Sequence, residues 1–229
     1  MRIGIIGTGT LAAVLGEAWT RAGHEITVGG RSPEKARALA DRLGRGTQAV
    51  APRHVVAERD AVLLAVSWDG VEDMLRASGA PEGTLAGTPL IDPTNAVEHG
   101  VGTLLTADGG SMARRIAELA PGAHVVKAFN LFPAEQWQWQ PEPEPEPQQS
   151  ALSALSALSA AGNSAVTVPM CGDDPAALDV VSRLVRDLGA APAVLGTLDR
   201  VRQLEEVAGF VIGLAFGGTD PNSAIPRVP

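Results

Sequence analysis

Short apolar runs alternate with longer amphipathic stretches along most of the chain. The runs predict β strands at residues 3–6, 24–28, 47–50, 61–66, 89–92, 123–128, 165–171 and 193–195. The stretches between them predict helices at residues 11–22, 33–43, 111–119, 175–188 and 199–215, with shorter helical segments at 52–58 and up to residue 77. Strands that alternate with helices predict an α/β fold: a doubly wound, mostly parallel sheet of about eight strands in three layers, with helices on both faces.

The first strand ends in a turn with the spacing G-x-G-x-x-A, formed by Gly7, Gly9 and Ala12. Gly7 permits the tight turn, Gly9 lets backbone N–H groups approach phosphate oxygens, and Ala12 lets the next helix lie close to the strand. The N-terminus of that helix supplies unpaired N–H groups and the positive end of its dipole. The turn therefore predicts a dinucleotide-binding, Rossmann-like fold; the alternative is a purely structural strand–turn–helix.

The end of the second predicted strand indicates which dinucleotide binds. An NAD site places Asp or Glu there to bind the ribose hydroxyls, but this chain has Gly29 and Gly30 followed by Arg31. A guanidinium holds a 2′-phosphate that a carboxylate would repel, and Ser32 and Lys35 can add hydrogen bonds. The sequence thus predicts NADP(H) rather than NAD(H), with solvated surface charges as the alternative.

Three further predicted strands end in residues that can reach the same edge of the sheet. Trp68 can pack against the nucleotide or simply cover the start of a helix, and Asn95 can bind the nicotinamide or form an Asx-turn. Phe129 or Phe132 can form part of a flat apolar wall beside Asn130, which offers a neutral donor and acceptor. Lys127 can pair with a phosphate or donate a proton, although an inner ion pair is the commoner use of a strand lysine.

No catalytic residue stands out, and Lys127 and Asn130 are the candidates. The candidate cofactor-binding residues are Gly7, Thr8, Gly9, Thr10, Leu11, Ala12, Gly30, Arg31, Ser32, Lys35, Val66, Ser67, Trp68, Val71, Asn95, Ala128, Phe129 and Asn130.

The composition changes abruptly after residue 137. Pro-Glu repeats and then three Ala-Leu-Ser repeats predict a solvent-exposed, low-complexity insertion at residues 138–163, with a lid or a docking arm as the alternative. We therefore expect an NADP-binding core at 1–137, strands and helices at 164–217 that complete the same domain, and a loose tail at 218–229.

Composition removes several classes of function. The net charge of −8 opposes binding to nucleic acid or to anionic membranes. A single cysteine, Cys171, fits a reducing cytoplasm, and no signal peptide or membrane-spanning run is expected. The absence of tyrosine excludes a Ser-Tyr-Lys carbonyl reductase. The four histidines lack the spacing of metal ligands, so no metal is expected.

Six segments occur in a recognisable order: GTGTLA, VGGRSPEK, AVSW, DPTN, KAFNLFP and MCGDDPAALDVVSRLVRDLG. With them the chain resembles, outside the insertion, the NADP oxidoreductase family that uses the 8-hydroxy-5-deazaflavin coenzyme. KAFN is also similar to the cytosolic reductase domain of six-transmembrane metalloreductases. The resemblance implies NADPH against the glycine turn, a flat ring stacked over the nicotinamide, 2′-phosphate contacts from Arg31, Ser32 and Lys35, and nicotinamide-side contacts from Trp68, Phe129 and Asn130. Gly30 departs from related sequences, which often carry a hydroxyl there.

The expected function is hydride transfer between NADP(H) and a deazaflavin-type coenzyme. One alternative is an NADPH-dependent reductase of a small imine, ketone or enone, which would need a proton donor. Another is a non-catalytic NADP(H) sensor. A homodimer through the C-terminal helix is also expected, because the apolar face of that helix is broad.

Overall fold

The computed structural model describes residues 1–98, 100–106, 109–138 and 166–224. Apart from Gln138, the predicted insertion at 138–163 lies outside the described residues, as do residues 225–229 of the predicted tail. Within the tail, Pro221–Ala224 form one 3₁₀ turn.

Eight strands form one sheet in the order β3-β2-β1-β4-β5-β6-β7-β8. The strands are β1 Arg2–Ile6, β2 Glu25–Gly29, β3 Gln48–Ala49, β4 Ala61–Leu64, β5 Pro89–Asp92, β6 His124–Lys127, β7 Thr167–Gly172 and β8 Ala191–Gly196. Every neighbouring pair is parallel except β6 and β7, which are antiparallel. The prediction of a doubly wound, mostly parallel α/β sheet is confirmed.

Helices cover both faces of the sheet. They are α1 Thr10–Arg21, α2 Pro33–Leu43, α3 Pro52–Val55, α4 Val71–Ser78, α5 Met112–Leu119, α6 Pro175–Arg186 and α7 Val201–Phe216. The buried residues of α1, α2 and α6 pack in one core cluster on one face. Those of α3, α4, α5 and the start of α7 pack in a second cluster on the other face. These are the three layers that the sequence predicts.

The central strands are buried because helices cover both faces of the sheet. In β1, Ile3 and Ile5 belong to the first cluster and Ile6 to the second, as the two-residue period of a strand requires. All residues of β4 have zero exposure, as expected for a continuous apolar run at the centre of a parallel sheet.

The short helix α3 lies unusually close to the sheet. A Cβ on Gly4 would come within 2.6 Å of the Val55 carbonyl oxygen, and one on Gly29 within 2.6 Å of the Val50 carbonyl oxygen. Glycine at these two strand positions therefore makes room for the backbone of the β3–α3 segment. This segment is shorter than predicted, because β3 has only two residues and α3 ends at Val55.

The parallel strands bring their carboxyl ends to one edge of the sheet. The glycine turn after β1 lies there with Gly30, Ser67, Asn95 and Asn130, which follow β2, β4, β5 and β6. The order of strands reverses between β1 and β4, and doubly wound sheets bind their ligands at such a point. Among the described residues, no helix is both long and apolar enough to cross a membrane.

Candidate functional site

The two glycines of the first turn differ in their surroundings. Gly7 has φ +131°, and a Cβ there would lie 1.9 Å from the Ala65 carbonyl oxygen. Its N–H donates to the Gly29 carbonyl at 2.8 Å, which ties the turn to the end of β2. A Cβ on Gly9 would meet nothing within 4 Å. Gly7 is thus required by the fold, whereas the space over Gly9 is open for a ligand.

The N-terminus of α1 is free to bind an anion. Gly9 is its N-cap and provides no side-chain cap, and the first turn contains no acidic residue. The first N–H groups of a helix have no partner inside it. Ala12 is fully buried, so α1 lies directly on the sheet. Both features agree with the pyrophosphate-binding role that the glycine spacing predicts.

The end of β2 shows which of its two glycines could have carried an acid. A side chain at Gly29 is excluded by the backbone of Val50. At Gly30 a Cβ would lie 3.3 Å from the Thr8 methyl carbon, so only a small displacement of Thr8 would be needed. Gly30 is therefore the position where the absence of a carboxylate bears on cofactor choice, and the Thr8 methyl group occupies the space beside it.

Arg31, Ser32 and Lys35 lie together at the start of α2. Ser32 is the N-cap, and its hydroxyl oxygen accepts from the Lys35 N–H at 3.2 Å, which leaves the hydroxyl proton available to an incoming acceptor. Arg31 and Lys35 are exposed. Within the described ranges, no carboxylate oxygen lies within 4.0 Å of either side chain. The two cations are therefore available to a phosphate.

A cavity of about 250 Å³ joins the glycine turn to this basic group. It brings together many of the predicted residues with two that sequence reasoning missed, Ala65 and Met74. Its lining consists of Gly7, Thr8, Gly9, Gly30, Arg31, Ser32, Lys35, Ala65, Val66, Ser67 and Met74. Met74 could have been found from the apolar stripe of α4, to which it belongs. In the structure this residue is two per cent exposed.

Asp69 lies beside this cavity in the 3₁₀ turn Trp68–Gly70. A hydrogen bond from the Ser67 side chain lowers the pKa of Asp69, and backbone N–H groups and the charge of Arg31 lower it further, although desolvation opposes this shift. Asp69 is thus ionised at neutral pH, with Arg31 close enough to favour its charge. Trp68 is half-exposed at 40%.

Two asparagines join the ends of β5 and β6. The Asn95 side-chain amide donates to the Asn130 carbonyl at 2.7 Å, and the Asn130 amide donates to Asn95 Oδ1 at 3.0 Å. The Asn130 amide also donates to the Leu204 carbonyl of α7 at 3.1 Å. Asn130 is six per cent exposed, and its Oδ1 is buried without a partner. A buried carbonyl oxygen that lacks a donor is a place where a ligand N–H group fits.

Phe129 lies in the core rather than in the wall of a cleft, so the expected role of its ring is corrected. Its ring packs edge-on against Trp19 and Trp137, with centroids 6.2 and 5.4 Å away, and it is two per cent exposed. Its φ of +65° is uncommon for an aromatic residue. This backbone conformation turns Phe129 into the core, while the next residue, Asn130, bonds to Asn95.

Val71 is likewise fully buried, in the core cluster of Met74 and Leu75. Its side chain packs beneath α4 and does not reach the cavity. The apolar stripe of α4 explains this, because Val71, Met74 and Leu75 recur at helical spacing.

Lys127 belongs to a buried ionic cluster. Its ammonium donates to Asp92 Oδ2 and to Glu205 Oε1, both at 3.0 Å, and to the Thr94 carbonyl. The side chains of Lys127, Asp92 and Glu205 have zero exposure. This is the inner ion pair that is usual for a strand lysine, and it encloses the ammonium within the protein.

Glu205 was missed by the sequence reasoning. Its carboxylate accepts from the backbone N–H groups of Met112 and Ala113 at 2.9 and 3.2 Å, so it also caps the N-terminus of α5. The sequence indicated its burial by placing an acidic residue one helical turn after Val201, in an otherwise apolar stripe. Among the described residues, no group of three or more His, Cys, Asp or Glu could hold a metal ion.

The doubly wound sheet and the glycine turn define the class, a dinucleotide-binding Rossmann-like protein. Residues 2–96 match the family model described as NADP oxidoreductase, coenzyme F420-dependent. A structure from Arthrobacter sp. FB24, provisionally named an F420-dependent NADP-reductase, is 26% identical with TM-score 0.73 and 95% of each chain covered. Residues 2–96 of the chain are therefore similar to this NADP-dependent oxidoreductase family.

Three further proteins are similar to this chain. Metalloreductase STEAP3 of Rattus norvegicus is 27% identical over 206 residues, which are 90% of this chain but 36% of that protein. The chain thus spans about a third of the length of this relative. A hypothetical protein from Sinorhizobium meliloti is 27% identical with TM-score 0.68, and the match covers 86% of this chain and 85% of the other. A reductive aminase from Aspergillus terreus shares the fold with TM-score 0.61 at 18% identity, over 95% of this chain and 62% of that one.

Proposed function

We propose that this protein transfers a hydride between NADP(H) and a deazaflavin-type coenzyme. The observation that carries the NADP(H) half is the pair of exposed cations, Arg31 and Lys35, at the end of β2, where no described carboxylate lies within 4.0 Å of them. A 2′-phosphate dianion satisfies that charge, whereas the bare ribose of NAD(H) does not.

The residues of the turn hold the dinucleotide in defined places. The free N–H groups at the start of α1 bind the pyrophosphate over the open face of Gly9. Arg31, Ser32 and Lys35 bind the 2′-phosphate. Asn130 Oδ1, which has no donor of its own, accepts from the carboxamide of the nicotinamide. Of the remaining predicted contacts, Thr8, Val66 and Ser67 line the cavity beside the turn, and we expect Thr10, Leu11, Trp68 and Asn95 to lie along the same path. The side chain of Ala128 is fully buried in the core cluster of Phe129, so its expected contact with the cofactor is corrected.

The choice of a deazaflavin-type acceptor is supported by the burial of the side chains that could donate a proton. NADPH supplies a hydride when bound, and a ring that spreads the incoming charge asks little acid–base help of the protein. Reduction of an imine or a ketone needs a placed proton donor. The candidates are Lys127, Asp92 and a water molecule, and both side chains are fully buried in one ion pair. The enclosed ammonium therefore favours a delocalised acceptor, and the chain contributes positioning and exclusion of water.

A single assay separates the candidates. The purified protein is mixed with NADPH and oxidised deazaflavin coenzyme, and the visible absorbance of the deazaflavin is followed. Its NADPH-dependent loss is the expected result. Consumption of NADPH only with a panel of imines and carbonyls would instead identify a small-molecule reductase. Tight binding of NADPH without turnover in either assay would identify a sensor.

The NADP(H) assignment is tested separately with Arg31→Ala. Loss of hydrogen bonds to a charged group weakens NADPH binding by about tenfold to a hundredfold, while NADH binding is unchanged. Arg186→Ala, which removes an exposed arginine from α6, is the matched control and leaves both affinities as they are. An unchanged preference for NADPH over NADH in Arg31→Ala would refute the assignment.

A further inference from the structure

The side-chain amide of Asn130 is held in one orientation. Its nitrogen donates to two acceptors, Asn95 Oδ1 at 3.0 Å and the Leu204 carbonyl at 3.1 Å. A backbone carbonyl can only accept, so an amide with its nitrogen and oxygen exchanged would set two oxygens against each other at Leu204. Asn130 Oδ1 therefore takes the remaining position, where it is buried and has no donor among the described residues.

The two acceptors that fix this amide lie next to partners of Lys127. Thr94 precedes Asn95 in the chain, at the end of β5. Glu205 follows Leu204 on α7. The Lys127 ammonium donates to the Thr94 carbonyl and, at 3.0 Å, to Glu205 Oε1. One buried ammonium thus holds the residue beside each acceptor of the amide.

The ammonium has no N–H group left for a substrate. It carries three donors, and the third goes to Asp92 Oδ2 at 3.0 Å. Asp92 Oδ1 in turn accepts from the backbone N–H of Thr94 at 2.8 Å and from its hydroxyl at 2.6 Å. Lys127 and Asp92 therefore hold Thr94 by its carbonyl, its N–H and its side chain. The side chains of Lys127 and Asp92 have zero exposure, and hydrogen bonds to charged groups are strong in such surroundings.

We propose that Lys127 is a positioning residue for the nicotinamide. Its ammonium fixes the segments that carry Asn95 and Leu204, and these two residues fix the Asn130 amide. The amide then presents Oδ1 to an N–H group of the nicotinamide carboxamide. This inference rests on the proposed contact between Asn130 and the nicotinamide, and it assigns Lys127 no part in proton transfer.

Loss of the charge disturbs this arrangement from both sides. The carboxylates of Asp92 and Glu205 contact the same ammonium, so without it they repel each other. The Thr94 carbonyl loses its donor at the same time. Each movement shifts one of the acceptors that hold the amide, and Oδ1 leaves the position in which it meets the carboxamide.

The test uses a cofactor analogue that lacks one hydrogen-bond donor. Isothermal titration calorimetry compares NADP⁺ with its 3-acetylpyridine analogue, in which a methyl ketone replaces the carboxamide and its N–H groups are lost. The wild-type protein binds NADP⁺ about tenfold more tightly, which corresponds to about 1.4 kcal/mol. Lys127→Met removes the charge but keeps a long apolar side chain. It brings the ratio of affinities close to one and leaves the affinity for the analogue as it is.

Two controls separate positioning from stability. Asn130→Ala removes the proposed acceptor and also brings the ratio close to one. Val181→Ala truncates a fully buried side chain of α6, in the core cluster on the other face of the sheet. It lowers the melting temperature and leaves the ratio at the wild-type value. A purely structural role of Lys127 would give the same pattern as Val181→Ala.

A second variant provides for the case in which Lys127→Met does not fold. Lys127→Met combined with Glu205→Gln removes one charge of each sign, so the total charge of the cluster is unchanged. The carboxamide keeps an oxygen for the N–H groups of Met112 and Ala113, which cap α5. The ratio in this double variant is also close to one. Failure of both variants to fold assigns the cluster to stability alone and overturns the inference.

The remaining outcomes distinguish this inference from the proposed function. A folded Lys127 variant that keeps the wild-type ratio overturns the inference, while the proposed function stands. Equal affinity of the wild-type protein for the two nucleotides removes the contact at Asn130 and overturns the inference with it. In that case sensitivity of NADP⁺ binding to Arg31→Ala still supports the NADP(H) assignment. Failure of both nucleotides to bind overturns the proposed function as well.

Discussion

The two glycines of the turn after β1 have different roles. Gly7 is glycine because a Cβ would collide with the Ala65 carbonyl oxygen, and its φ of +131° disfavours any other residue. Gly9 has an extended backbone that any residue adopts, at φ −82° and ψ −175°, and open space around its Cα. The first glycine is required by the fold, and the second leaves open the space in which we propose that the ligand binds.

This difference predicts opposite results for two alanine substitutions. Gly9→Ala keeps the melting temperature of the protein without ligand, but weakens NADP⁺ binding at least tenfold, because a methyl group enters the space of the pyrophosphate. Gly7→Ala lowers the melting temperature sharply, since the backbone must move. Thermal unfolding with and without NADP⁺ measures both effects. Equal loss of stability in the two variants would contradict the distinction.

Cys171 gives a prediction on reactivity. Burial raises the pKa of its thiol, and the residue has zero exposure. A raised pKa lowers the fraction of reactive thiolate at any given pH. The folded protein therefore reacts with a disulfide reagent such as Ellman's reagent only slowly at pH 8, and the rate rises to that of a free thiol in urea. Rapid reaction of the folded protein would show that the thiol is accessible.

At the scale of elements, Glu205 joins three parts of the fold. It lies on α7, caps α5 through the N–H of Met112 and pairs with Lys127 of β6. The preceding residue of α7, Leu204, accepts from the Asn130 side chain. The C-terminal helix is thereby attached to β6 and to Asn130, which follows that strand.

Removing this attachment should cost much of the stability. Glu205→Ala leaves the Lys127 ammonium with one carboxylate and uncaps α5, so the free energy of unfolding falls by about 3–5 kcal/mol. Glu206→Ala is the neighbouring control, because Glu206 pairs with Arg202 on the exposed side of α7, and it costs about 0.5 kcal/mol or less. Urea denaturation measures both. A loss below about 1 kcal/mol in Glu205→Ala would contradict the prediction.

At the scale of the whole molecule, one face remains apolar and exposed. Val207 and Phe210 of α7 are 40% and 51% exposed. Val101 and Leu105, in the loop between β5 and α5, are 55% and 48% exposed. The loop and the helix are fitted together by glycine, since a Cβ on Gly209 would lie 2.3 Å from the Gly102 carbonyl oxygen. Apolar surface of this kind favours association with another molecule.

We therefore expect this face to form the homodimer contact that the breadth of the α7 stripe predicts. Phe210→Asp shifts the protein toward the monomer in sedimentation equilibrium, because it places a charge in an apolar contact. Val194→Asp is the control, because it changes an exposed apolar residue on the edge strand β8, away from this face, and leaves the dimer intact. A wild-type protein that sediments as a monomer at micromolar concentration would refute the expectation.

Much of the sheet could be read from local pattern, because a strand buried on both faces is an apolar run whatever its partners are. The positions of β1, β4 and β5 illustrate this. Less could be read where long-range packing decides. The reason for Gly29, the orientation of Phe129 and the burial of Val71 each depend on a neighbour distant in sequence.

By itself the sequence determined the fold class, the glycine turn and the basic end of β2, because each depends on residues close together in the chain. Only the tertiary structure decided what the distant residues do. It placed Lys127 between Asp92 and Glu205, joined Asn95 to Asn130, and brought Met74 to the cavity that Gly9 and Arg31 also line. The sequence does not distinguish a charged residue that will be buried from one that will be exposed. Its chemistry depends on neighbours that only the folded chain brings together.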